Sequence, residues 1–151
     1  MRSLVQEGIH RLTYPVPLPG APPVNLYLLE GEVTTLVDTG PFVEATFEEL
    51  RTDLETIGPG IEGLSRIVVT HAHFDHAGLA ERLHTISGAE VFLHPDDMDR
   101  FLLRPGLSTV WTRHHLRMAR FWGFEEEELQ ILADGIGRLF DLAPGVREEW
   151  L

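Results

Sequence analysis

The chain has 151 residues, 43% of them hydrophobic and 24% charged, the balance of one ordinary folded domain with enough apolar surface to bury a core. Its formal net charge of −12 disfavours binding to nucleic-acid phosphates or acidic membranes, because such surfaces are built from Lys and Arg. The absence of cysteine excludes disulfides, thiolate nucleophiles and cysteine zinc sites together, and no apolar run reaches membrane-spanning length.

The first segment, "MRSLVQEGIHRL", places Gln6, Glu7 and His10 where a secretory signal has an unbroken apolar run, so the expected location is cytoplasmic. Residues 14–23, "YPVPLPGAPP", carry five of the ten prolines; they predict a stiff surface loop between strand-like stretches, a connector or one wall of a cleft. Val24–Leu29 and Val33–Asp38 read as a β-hairpin reversing at Glu30 and Gly31. Val43, Phe47, Leu50, Leu54 and Ile57 then form a helical stripe that Gly58 and Pro59 close. The apolar, β-branched run Ser65–Thr70 predicts a strand buried on both faces. "GLAERLHTIS" predicts a helix ended by Gly88, and Ala89–His94 another strand. Pro95, Asp96 and Asp97 open a further helix, with carboxylates at its positive dipole end.

Beyond Gly106, "LSTVWTRHHLRMARFWG" and "EEEELQILADGIGRLF" are helical candidates, the first bounded by Ser108 and Gly123. Trp111, Met118, Phe121 and Trp122 read as packing residues around His114 and His115. The expected architecture is a single α/β layered domain over residues 1–151, its sheet largely buried, with a helical segment at about 107–140.

Between the predicted strand and helix, "VVTHAHFDHAG" (Val68–Gly78) holds three of the eight histidines and an aspartate within six positions. If the strand continued through Thr70, His71 and His73 would project from one side and reach one ion; Asp75 and His76 follow in a turn. Imidazole and carboxylate are zinc donors that also suit iron and manganese. Four donors in six residues exceed what one tetrahedral ion accepts from so short a loop, which points to two adjacent metals. The competing reading makes Asp75 a helix N-cap, which accounts for one residue and leaves three histidines without a reason.

"THAHFDHAG" resembles the H-x-H-x-D-H signature of the metallo-β-lactamase-fold hydrolases, and "VNLYLLEG" followed by "TLVDTG" is similar to their opening hairpin. The resemblance covers about residues 10–100 and implies a four-layer αββα sandwich built from two related halves. It also implies that His71 and His73 bind one divalent ion and Asp75 and His76 a second, most simply zinc. Asp38 then lies beneath the loop and orients it. A hydroxide held by the metals would attack a carbonyl carbon or a phosphorus, with Asp75 managing a proton. The thioesterase and lactonase branch is the expected substrate class, acting on a small molecule. Alternatives are a non-catalytic half-fold binding or assembly module, and a phosphodiesterase or nuclease of the same superfamily.

The family's second half supplies three further ligands that no residue here matches. His84 lies within a predicted helix, His94 ends a strand, and the chain stops at "APGVREEWL". The expectation is therefore the first half of the fold plus a helical insertion, lacking its C-terminal half, weakly active or inactive alone. Its uncovered apolar face would favour homo-oligomers.

Overall fold

Among the described residues, six strands form one mixed sheet in the order in which they occur along the chain. In the computed structural model, which describes residues 1–18, 20–98, 113 and 116–141, β1 (Arg2–Gln6), β2 (Ile9–Tyr14), β3 (Val24–Leu29) and β4 (Thr35–Val37) pair antiparallel. β5 (Arg66–Val68) and β6 (Glu90–Phe92) then add parallel to β4. The change in direction follows from the connections, since parallel neighbours need a crossover. α1 (Glu44–Ile57) makes the first crossover, and α2 (Phe74–Ala77) with α3 (Ala80–Ser87) makes the second. α4 (Glu126–Asp141) lies further along the chain, after helical residues 116–121.

Alternation along each strand sorts the side chains between two unlike faces. On one, Leu12 sits opposite Leu26, and Leu28, Leu36, Ile67 and Val91 follow one another across β3 to β6. Phe47, Leu50 and Leu54 of α1 and Leu79, Ala80 and Leu83 around α3 share this core. Burial of each such leucine contributes roughly 1.5–3 kcal/mol. Arg82 of α3 grips Glu44 of α1 through two bonds of 2.6 and 3.1 Å and lies 3.3 Å over the Phe47 ring. Tyr14 is fully buried and donates to Asp53 Oδ2 at 2.9 Å. Burial first, then the Asp53 charge, raises its pKa well above the ordinary tyrosine value.

The opposite face is different. Arg11, Tyr27, Val37, Val68 and Phe92 form one row across five strands, and none of them is fully buried. Arg66 stacks its guanidinium 5.0 Å over Phe92. The Nε atoms of Arg11 and Arg66 are covered yet have no hydrogen-bond partner among the described residues. The Ser65–Thr70 strand is thus shorter than its apolar run and buried on one face only, and the expected largely buried sheet is corrected in the same way.

Other expectations shift at the margins. The second hairpin strand spans only Thr35–Val37, and the N-terminal segment adds the β1–β2 pair. The helix expected after His94 begins as a 3-10 turn, Pro95–Asp97, in which His94 Nδ1 accepts the Asp96 N–H at 3.2 Å. Phe121 and Trp122, expected to pack, are 82% and 67% exposed: Phe121 ends the helical residues 116–121 and Trp122 enters the turn that follows, where Gly123 takes a positive φ of 85°. Ser108, Trp111, His114, His115 and the "APGVREEWL" tail lie outside the described residues.

Candidate metal centre

Ligands in sheets with parallel strands gather beyond the strands' C-terminal ends, and here two loops meet in that place. The chain leaves β4 through Asp38, Thr39 and Gly40, and leaves β5 through residues 69–73. Asp38 N donates to Val68 O at 2.9 Å, and Thr39 N and Oγ1 both donate to His76 O at 2.7 and 2.9 Å. Leu79 N reaches Gly40 O and Thr39 Oγ1, each at 3.2 Å. These bonds join positions 30 to 40 residues apart in sequence and fix β5 and α2 against the end of β4.

The close approach sets the residue types. Asp38 takes a left-handed φ of 61°, the only described non-glycine residue to do so, a conformation that aspartate tolerates better than most. Gly78 has no room for a side chain: a Cβ there would stand 2.5 Å from Phe42 N and Phe74 O and 2.8 Å from Gly40 O. The glycine of "DHAG" is therefore a packing requirement of the loop.

Asp38 is 4% exposed and collects donors from the loop after β5 and from α2. Thr70 N reaches Oδ1 at 2.8 Å, the Thr70 hydroxyl lies 2.9 Å from each oxygen, and His76 Nδ1 lies 2.8 Å from Oδ2. An ionised carboxylate only accepts, so His76 donates through Nδ1 and keeps its Nε2 lone pair.

The three imidazoles converge above this carboxylate. The His71 ring centroid is 4.5 Å from that of His73 and 4.1 Å from that of His76. Strand alternation is not what gathers them, because β5 ends at Val68; His73 is instead the residue before α2, and Asp75 and His76 lie within it. Asp75 is not the N-cap: that position belongs to His73, whose side chain makes no capping bond. Asp75 Oδ2 stands 3.6 Å from His76 Nε2, beyond hydrogen-bonding distance. Burial, and then the neighbouring His76 and His73, lower the pKa of His71. The direction of that shift favours the neutral form that ligates metals.

As the side chains stand, no three His, Asp or Glu residues among the described residues form a group able to hold an ion. Their chemistry nevertheless fits one side of a divalent-cation sphere. Three imidazoles cluster beside a carboxylate, and at His76 the second nitrogen is already tied to a buried acceptor, the usual support of a ligating histidine. His84 and His94 are occupied elsewhere, His84 Nδ1 at Ala89 O (2.8 Å) and His94 at its own turn. Thr39, Thr70 and Gly78 were not singled out by sequence reasoning; the hydroxyl residues flanking Asp38 and His71 were the available signal.

Comparison with known proteins agrees with this architecture. Residues 19–147 match the family model described as the metallo-beta-lactamase superfamily. The chain is 36% identical over 78 residues to the Bacillus subtilis (strain 168) protein YqjP, named a probable metallo-hydrolase, a match covering 52% of this chain and 24% of that one. Among solved structures, a metallo-beta-lactamase family protein of Thermus thermophilus, TTHA1429, superposes with a TM-score of 0.69 at 30% identity, over 87% of this chain and 43% of the other. A beta-lactamase domain protein from Burkholderia ambifaria gives the same TM-score at 23% identity, over 99% and 43%, a likeness of fold alone. The chain thus spans less than half the length of these relatives. With the family model matching most of its length, the chain belongs to the metallo-beta-lactamase superfamily.

Proposed function

We propose that the chain carries the histidine-rich side of a metal-dependent hydrolase centre acting on an ester-type bond, thioester or lactone, in a small molecule. The observation that carries this reading is the convergence of His71, His73 and His76 above one buried carboxylate. His71 and His73 would hold one divalent ion and Asp75 and His76 a second, zinc being the simplest choice for such donors and iron or manganese also suited. When bound, such cations acidify water and stabilise developing negative charge on the substrate. The protein's own part is to orient His76 from Asp38 and to offer Asp75 as the carboxylate that receives a proton beside His76. Phosphodiesters rank below esters because the net charge of −12 opposes a polyanion.

The test is metal analysis of the zinc-supplemented chain together with assays on a thioester, a lactone and a phosphodiester. Zinc uptake that falls in His71→Ala and His76→Ala, with ester turnover, supports the reading. No zinc uptake by the folded wild-type chain overturns it. A second reading, a non-catalytic binding or assembly module, is favoured by the open donor set and predicts a stable oligomer with little metal and no hydrolysis. Native mass measured on the same sample separates the two.

A further inference from the structure

Thr70 has three bonding contacts that together leave one proton assignment. Its hydroxyl lies 2.9 Å from both oxygens of Asp38 and 3.1 Å from Nδ1 of His71. A threonine hydroxyl has one proton to give and two lone pairs to offer. The Asp38 carboxylate, already the acceptor for Thr70 N and His76 Nδ1, gives nothing back, so the hydroxyl proton is directed to it. What faces His71 is then a lone pair, and Nδ1 of His71 must carry the hydrogen. We propose that Thr70 is a positioning residue: it relays the Asp38 charge to His71, so that one carboxylate fixes the tautomers of two imidazoles, His76 directly and His71 through the hydroxyl, with both Nε2 atoms left free as donors. The significance for metal binding rests on the function proposed above; the tautomer assignment does not.

The position suits an experiment. Thr70 is itself exposed, so replacing its side chain opens no core cavity, and its backbone N–H to Asp38 survives substitution. Thr70→Val removes the hydroxyl at nearly constant shape, and Thr70→Ser restores it. In the metal-free, 15N-histidine-labelled chain, long-range proton–nitrogen correlation spectra report each ring's tautomer at a pH well above the ordinary histidine pKa of about 6.5. The expected result is an Nδ1–H tautomer for His71 in wild type and Thr70→Ser, and a shift toward Nε2–H, which an unconstrained imidazole favours, in Thr70→Val. His76 should keep its Nδ1–H signature in all three. Zinc affinity should fall about tenfold in Thr70→Val, the scale for loss of a ligand's supporting bond, and return in Thr70→Ser. A Thr70→Val protein whose His71 stays Nδ1–H, or a Thr70→Ser protein that behaves like Val, overturns the proposal. Wild type with both tautomers as assigned but no zinc uptake would instead refute the metal reading and leave the relay standing.

Discussion

Asp38 is where single-residue chemistry concentrates, and it offers a sharp test because its charge and its shape can be changed separately. Asp38→Asn keeps the outline and tolerates the left-handed backbone, but its amide cannot accept from all the donors now served by the carboxylate. Folding should be retained, as read by circular dichroism, while zinc affinity falls about 10–100-fold in titration calorimetry. Asp38→Ala leaves the Thr70 N–H and His76 Nδ1–H, both in a part-buried setting, short of acceptors, and should cost about 1 kcal/mol in denaturant unfolding. Unchanged zinc affinity in Asp38→Asn would show that the carboxylate does not support the imidazoles. The three histidines and Asp75 stood out as a candidate cluster because their types and spacing are local, whereas Asp38 entered only through the resemblance of "TLVDTG" to the family's opening hairpin. Thr39 and Thr70 were not legible, since their bonds to His76 and Asp38 span 37 and 32 residues and exist only once β4 and β5 lie side by side.

Elements were legible where one periodicity ruled. α1 and α3 followed from apolar stripes ending in Gly58 and Gly88, both at positive φ. The strand of Ser65–Thr70 misled because a continuous apolar run does not say whether its second face is covered. The junction of α2 and α3 is predicted to be rigid in its residue demands. In Gly78→Ala the new Cβ meets backbone atoms at 2.5 Å, which cannot rotate away, so a loss of about 1–3 kcal/mol should appear as a lower denaturation midpoint with weaker zinc uptake. The β2–α1 contact has a pH signature. Tyr14 is raised above its ordinary pKa in the fold, so the unfolded chain deprotonates first. Its contribution is complete below pH about 10 and declines as pH rises through the folded value. Tyr14→Phe should cost about 1 kcal/mol at neutral pH and flatten the alkaline decline measured by urea midpoints from pH 8 to 11. An identical alkaline decline in both proteins would remove Tyr14 as its source.

At the scale of the whole molecule, α1, α2 and α3 pack on one face of the sheet, and among the described residues the other face carries a row running from half-buried Arg11 to exposed Phe92. A two-layer arrangement satisfies only one face of such a sheet, and open sheets with apolar rows bury them against another layer. Two observations add to the apolar argument. Arg11 and Arg66 bring two guanidinium groups to this face, and the chain carries 24 acidic side chains against 12 basic ones, so another copy can supply both apolar surface and carboxylates. The 151-residue chain is therefore expected to self-associate through this face. Sedimentation velocity at micromolar concentration should show a dimer or larger species. Val68→Lys, placed in the middle of the row, should shift it toward monomer by at least about tenfold in dissociation constant, since a desolvated charge without a partner costs more than about 1.4 kcal/mol. Circular dichroism guards against simple unfolding of the variant, because Val68 is only half-buried. A monomeric wild type over the same range, with no binding of a hydrophobic dye, would mean that this face is content in water.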